Sequence, residues 1–320
     1  MNSYPYLCTK DNNMKEKIKQ LIRFDWAMKR LLRNKVNFGI LEGFLSELLQ
    51  TDITIIEILD AESNKESEND KFNRVDILVK DSKDDLIIIE VQNDREYDYF
   101  QRMLYGVSKA ISEHIDEGSA YAKVKKVIAV NVVYFNLGQG EDYVYYGETT
   151  FKGTHQNDIL NLSKKQKESF KVELVKDIFP EYYIIKVNNF DDNAQNTLDE
   201  WIYFFKNSAI KSNFSAKGIK EASAKLDIMK LSEKDQLAYK QYVASLRNEA
   251  SRAFTLRIDT EDLINEAENK AKKRAEKETK KEIAIKLWKL NIPIVNIAIA
   301  TEYSEEQIEQ IIEDFKQNTQ

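Results

Sequence analysis

Residues 74–93 read RVDILVKDSKDDLIIIEVQN, two apolar runs joined by a short polar stretch. The pattern predicts a β-hairpin with a tight turn over 81–85. Side chains alternate between the two faces of a strand, so Val75, Ile77 and Val79 share one face and Asp76 shares the other with Leu78. In the second strand Ile87, Ile89 and Val91 take one face, and Leu86, Ile88, Glu90 and Gln92 take its opposite. The turn is centred on Lys83, and residues equidistant from the pivot of an antiparallel hairpin face each other. Asp76 and Glu90 are each seven positions from Lys83, which predicts opposed carboxylates with Cβ atoms roughly 5 Å apart. Two acids opposed in an Ile/Val-rich hairpin repel each other and lose hydration unless a cation lies between them. A hard divalent ion held by one or two carboxylates resolves that conflict, so the pair points to a metal-dependent enzyme. The competing reading is a polar face on a solvated sheet. Against it, the apolar run 86–89 leads directly into Glu90, as in a strand buried on both faces, where a charge is more often functional.

The following stretch, 97–115, YDYFQRMLYGVSKAISEHI, carries apolar residues at 100, 103, 104, 107, 110, 111 and 115, a helical period. Arg102, Tyr105 and Lys109 share another stripe of that helix. A cation and a phenol beside a carboxylate pair suit the gripping of a phosphate. The alternative is a solvated face with an arginine stem laid along it.

Asp76, then Glu90-Val91-Gln92, then Gln101-Arg102-Met103-Leu104-Tyr105-Gly106 resemble the PD-(D/E)XK nuclease-fold family described as putative transposase or recombination-promoting nuclease. Phe24-Asp25-Trp26-Ala27-Met28-Lys29, Ile40-Leu41-Glu42-Gly43-Phe44-Leu45, Phe179-Pro180-Glu181-Tyr182-Tyr183 and Leu198-Asp199-Glu200-Trp201-Ile202-Tyr203 extend the resemblance over roughly 20–250. It implies a magnesium-dependent DNA endonuclease of bacterial type on a restriction-endonuclease-like α/β core, with a central mixed sheet flanked by helices. Asp76 and Glu90 match the metal-binding acids of that family. Gln92 stands where the wider superfamily places a lysine; a neutral amide can orient a water but supplies no positive charge to a developing phosphorane.

At 320 residues the chain is long enough for one sizeable core plus an appendage. Its 42% hydrophobic content is that of a folded protein, and no apolar run approaches the roughly 18–20 residues of a membrane span. The N-terminal stretch lacks an apolar signal core, and the single cysteine, Cys8, cannot form an internal disulfide; both lead to a cytoplasmic expectation. Two scattered histidines, His114 and His155, make no zinc pattern. A net charge of −6 argues against a dedicated high-affinity DNA binder, because phosphate neutralisation dominates such affinity. DNA contact is therefore expected to be weak and largely non-specific. Lys29, Arg30, Arg33 and Lys35, or Lys123, Lys125 and Lys126, offer a local basic patch; dispersed solvated charges are the alternative.

Along the chain, 1–17 read as loosely structured. Helices are expected over about 21–33 and 37–50, a strand near 53–60, a polar loop over 61–73, the hairpin strands near 74–80 and 86–93, the helix 97–115 and a buried strand over 126–135. That order by itself says α/β or α+β with one mixed sheet. Further strands are expected around 143–151, 171–177 and 182–187, and a helix over 192–206. The expected organisation is a nuclease-like domain over 1–206, a helical unit over 207–258, a charged helix over 259–290 and a helix-turn-helix-like module over 291–320, an all-helical extension of the core. In the last module Ser304 and Gln307 form a capping box, and Ile308, Ile311, Ile312 and Phe315 make an apolar stripe that needs burial. The final helix carries Glu305, Glu306, Glu309, Glu313 and Asp314 against Lys316, which suits protein contact better than DNA. A homo-oligomer through the C-terminal helices is expected.

The functional expectation is Mg²⁺-dependent (or Mn²⁺-dependent) hydrolysis of DNA phosphodiesters. Asp76, Glu90 and the Val91 backbone carbonyl hold the ion, Gln92 positions the water, Arg102 holds a non-bridging oxygen and Tyr105 buttresses it. Glu42 or Glu47 is a candidate further acid. The alternative is a catalytically idle nuclease fold acting as a regulatory or protein-interaction module. A strand-joining transposase would need three gathered acids, and no such triad stands out.

Overall fold

The computed structural model describes residues 21–59, 76–115 and 120–317; the expected loose N-terminus, the polar loop 61–73 and Val75 lie outside them. Helices α1 (Phe24–Arg30) and α2 (Phe38–Leu49) precede strand β1 (Ile55–Leu59). The hairpin strands are β2 (Ile77–Asp81) and β3 (Leu86–Gln92), followed by helix α3 (Tyr99–Glu113) and strand β4 (Val127–Val133). Then come β5 (Val144–Gly147), α4 (Lys164–Phe170), β6 (Glu181–Lys186), α5 (Thr197–Asn207) and α6 (Ile219–Lys225). The six strands form one sheet in the order β1-β2-β3-β4-β6-β5. Its centre, β3-β4-β6, is parallel and its outer pairs are antiparallel. This is the mixed sheet with flanking helices of a PD-(D/E)XK nuclease fold.

The hairpin has the register that its pivot predicts: Ile77 pairs with Ile89, Leu78 with Ile88, Val79 with Ile87 and Lys80 with Leu86. Asp81 sets the turn, its Oδ1 accepting from the backbone N–H groups of Lys83 and Asp85, each at 2.9 Å, a local bond that aspartate supplies readily. On one face Leu78, Leu86 and Ile88 pack with Val107 and Ala110 of α3 and with Val127 and Ala129 of β4. Glu90, two positions beyond Ile88, therefore lies on the α3 side of the sheet. Elsewhere in this unit the helices meet through an aromatic cluster in which Phe24 stacks on Phe205 at 4.0 Å and Phe44 abuts Trp201 and Phe205.

Residues 171–177 do not form the expected strand. Lys171 ends α4 in the left-handed region, and a short 3-10 turn, Val175–Ile178, follows. β6 already has β4 on one side and β5 on the other, so that stretch cannot pair with β6. The charged helix begins far earlier than expected, as α7 (Glu233–Lys289). No glycine or proline interrupts 233–289, and its alanines, lysines and glutamates favour continuation of a helix.

The chain divides into two compact units, Met1–Tyr239 and Lys240–Gln320. In the second, α8 (Ile294–Thr301) and α9 (Glu305–Gln317) bury Ile297, Ile308 and Ile312 against Ala284, with Leu287 and Trp288 packed on them. The Ser304–Gln307 capping box is present. Part of the α9 stripe that required burial is thus covered by the end of α7. No helix among the described residues is long and apolar enough to cross a membrane.

Candidate active site

The two acids come from the open end of the hairpin. Asp76 directly precedes β2, and Glu90 sits near the end of β3, one residue before Val91. Asp76 Oδ2 accepts from the Val91 backbone N–H at 2.8 Å, which fastens the acid to the strand that carries Glu90. The N–H and C=O of one strand residue point to the same side, so the Val91 carbonyl shares the Asp76 side of β3.

Glu90 is 4% exposed, and burial pushes its carboxyl up to about 7, with the Asp76 charge adding to the shift and Arg102 opposing it. Burial also raises Asp76, while Lys29 and the Val91 N–H pull it back. Each carboxylate thus sits where its charged form lacks full compensation. Glu90 Oε1 is shut off from solvent without a well-formed hydrogen bond; its close neighbour is the Arg102 guanidinium.

Arg102, from α3, bridges two acids. It pairs with Glu90 and also donates from Nη1 to Glu96 Oε1 at 2.8 Å. It is therefore engaged by carboxylates instead of standing open toward a phosphate. Gln92 donates from Nε2 to the same Glu96 Oε1 at 2.9 Å and to the Asp94 carbonyl at 3.3 Å. Tyr105 is half exposed on α3, and among the described residues it makes no hydrogen bond to Arg102. Phe100 and Leu104 beside it are also exposed.

On the neighbouring strand Asn131 lies in register with Glu90 and is 2% exposed. Its Oδ1 accepts from the Tyr99 hydroxyl at 3.3 Å and its Nδ2 donates to the Tyr183 carbonyl at 3.3 Å. Burial and the nearby Glu90 charge hold the Tyr99 phenol protonated, far above its ordinary range. Asn131 and Tyr99 form a neutral polar floor beside the acids. A lone Asn within the apolar strand VIAVNVV was the sequence signal for it; Glu96 was signalled only by the polar run DREYD after β3.

Helix α1 closes the other side. Buried Asp25 accepts from Asn93 Nδ2 at 2.7 Å and from Arg23 Nη2 at 3.2 Å, tying α1 to the residue after Gln92. This brings Lys29 Nζ to 3.9 Å from Asp76 Oδ1 and lets Arg33 Nη2 donate to the Asp76 carbonyl at 2.6 Å. Of the two expected basic patches, the one near the first helix therefore lies at the acids. Lys125 and Lys126 pair instead with Asp84 and Glu181. They precede β4, at the opposite end of the sheet from the end of β3.

Neither candidate further acid joins the pair. Glu42 Oε1 accepts from the Ile55 N–H at 2.8 Å, and Ile55 pairs with Asp81, at the far end of β2 from Asp76. Glu47 accepts from the Thr197 hydroxyl and the Lys217 N–H, fastening α2 to later segments. Among the described residues no cluster of three or more His, Cys, Asp or Glu side chains could hold a metal ion. The two acids offer hard carboxylate oxygens, the donor type that divalent ions such as magnesium take.

A mixed α/β sheet with an Asp, then Glu-x-Gln, at the open end of its hairpin fits the PD-(D/E)XK class of nuclease folds, with Gln92 in the place of that class's lysine. The profile of the PD-(D/E)XK nuclease family transposase matches residues 22–253, and the chain belongs to that family. No curated protein and no solved structure matches the chain significantly. Membership carries a nuclease-type function and the general use of divalent metals by such nucleases.

Proposed function

We propose that the protein is a divalent-metal-dependent endonuclease that hydrolyses phosphodiester bonds in DNA. The observation that carries the reading is the acid pair: buried Glu90, raised to about 7, and half-buried Asp76 near it and raised too. A hard cation would relieve both. Asp76, Glu90 and the Val91 carbonyl would hold magnesium or manganese. When bound, the ion polarises the scissile phosphate and lowers the pKa of the attacking water. Gln92 orients that water. Arg102, held by Glu90 and Glu96 in the metal-free site, would turn to a non-bridging oxygen once a cation takes Glu90, and Tyr105, Phe100 and Leu104 border the surface over which the substrate lies. Lys29 and Arg33 add positive charge near Asp76. With few such cations and a net charge of −6, DNA binding is weak, salt-sensitive and without strong sequence preference.

The test is incubation of supercoiled plasmid with Mg²⁺ or Mn²⁺ beside an Asp76→Ala control. Nicking by the wild type alone supports the reading; equal inactivity of both removes it. A second reading, an idle nuclease fold that acts by binding partners, is favoured by one observation. Arg102 and the Gln92 amide are both engaged by Glu96. Tight binding to one duplex without cleavage is the result that would select it.

A further inference from the structure

The partners of Gln92 determine which way round its amide sits. The side-chain atom facing Glu96 Oε1 at 2.9 Å also faces the Asp94 carbonyl at 3.3 Å. A carboxylate oxygen and a peptide carbonyl can only accept hydrogen bonds, so the atom turned to them has to be the amide nitrogen. The reversed amide would set its own oxygen against two acceptors and lose both bonds. Glu96 is in turn held by Arg102, which donates to the same Oε1 at 2.8 Å and pairs with Glu90. Position 96 is thus tied to Glu90 through a cation and to Gln92 through an amide. Among the described residues Gln92 Oε1 has no protein donor, and an amide oxygen can only accept.

We propose that Glu96 is a positioning residue: it fixes the orientation of the Gln92 amide so that Oε1 accepts a hydrogen bond from the attacking water. A lysine at position 92 would present a charged donor; here the site presents a neutral acceptor. The proposal rests on the nuclease reading above. In the step it serves, a lone pair of the water oxygen forms the new P–O bond while the bond to the leaving oxygen breaks and takes its electron pair. The water proton passes on to solvent, because a neutral amide is too weak a base to keep it, and the leaving oxygen takes its proton from solvent. Glu96 touches neither substrate nor water.

The test is a double-mutant cycle in the full-length protein with Glu96→Ala, Gln92→Ala and the pair combined. Glu96→Ala should lower kcat for plasmid nicking on the order of 10–100-fold while leaving KM for DNA nearly unchanged. The double variant should be no slower than Gln92→Ala alone. If Glu96→Ala costs as much in the Gln92→Ala background as in wild type, or if its effect falls on KM, the residue acts through Arg102 and the proposal is overturned. A readout independent of activity is the side-chain amide signal of Gln92 in ¹⁵N-glutamine-labelled protein without metal. It should be displaced and slow to exchange in wild type and should move to the solvent-exposed position in Glu96→Ala. An unchanged signal overturns the orientation itself. If wild type and Asp76→Ala are equally inactive, the nuclease reading fails and the water-orienting role fails with it, while the amide signal still decides the orientation.

Discussion

Asp76 Oδ2 accepts a 2.8 Å hydrogen bond from the backbone N–H of Val91, so the first acid of the site is held by the residue that follows the second. The bond does two jobs with one carboxylate. One oxygen stabilises the open end of the hairpin, and the other, 3.9 Å from Lys29 Nζ, faces a cation. Asp76→Asn separates them, because an amide oxygen can still accept from Val91 but carries no charge. Its folding stability should stay within about 1 kcal/mol of wild type, while plasmid nicking falls on the order of 100-fold or more. Urea denaturation and a nicking time course check the two halves.

Metal affinity should depend on pH through Glu90. Its carboxyl is pushed up to about 7 by burial first and by Asp76 second, so below that pH a proton competes with the ion. Apparent Mn²⁺ affinity should weaken by about tenfold for each pH unit further below 7. Calorimetric titration at several pH values measures it, and a pH-independent affinity removes Glu90 from the ligand set.

The same shift has a stability consequence in the metal-free protein. Glu90 titrates at about 7 when folded against an ordinary 4.5, so between those values the folded state holds more protons than the unfolded one. Stability contributed by this group is complete below 4.5 and is lost as pH rises through 7. Melting in chelator should therefore show a Tm that declines across this window in wild type. Glu90→Gln, which carries no titrating group, should show a flatter profile and a higher Tm than wild type at about pH 8.

Gly43→Ala should be strongly destabilising. A Cβ there would stand 2.4 Å from the Lys217 carbonyl oxygen and 2.7 Å from Gly218 Cα, backbone atoms that cannot swing aside. Gly218 has φ +75, and a Cβ on it would stand 2.8 Å from the Gly39 carbonyl oxygen, so the contact is tight from both directions. Overpacking of this kind costs about 1–3 kcal/mol, read as a lower urea midpoint. The site chemistry at Asp76 and Glu90 should survive in the folded fraction.

Self-association through α7 is expected on its exposed apolar residues. Phe254, Leu256, Leu263 and Ile264 all lie more than half exposed on the long helix, while the α9 stripe is partly covered by α7 itself. Leu256→Glu combined with Leu263→Glu in the full chain should lower the mass measured by light scattering and leave nicking intact. An unchanged mass with weaker DNA binding would assign the segment to DNA contact instead.

The hairpin was legible because its information is local. Alternation assigned the faces, the pivot at Lys83 set the register, and both depend on neighbours within twenty residues. The strand expected at 171–177 failed for the opposite reason. Its alternation is real, but which segment pairs with β6 is a tertiary outcome, and β5 takes the side that β4 leaves. Helix α7 ran past the expected start because a charged, alanine-rich stretch without glycine or proline contains no stop signal.

The register that pairs Ile77 with Ile89 and so carries Asp76 to the Val91 N–H, and the Glu-x-Gln order, belong to the sequence, since strand geometry converts spacing into position. What surrounds the pair was decided only by the tertiary structure. Arg102 lies on a helix whose face can be read, yet its choice of Glu90 and Glu96 over an open orientation depends on how α3 packs against β3. Asn131 reaches the site because β4 lies parallel to β3 in one particular register. Lys29 and Arg33 do so because Asp25 anchors α1 to Asn93. Glu42 and Glu47 are engaged elsewhere, Glu42 by the Ile55 backbone N–H and Glu47 by the Thr197 hydroxyl and the Lys217 backbone N–H. Burial, which raises Glu90 to about 7, is a property of the packed sheet and helix together, and no local pattern encodes how completely a side chain loses its water.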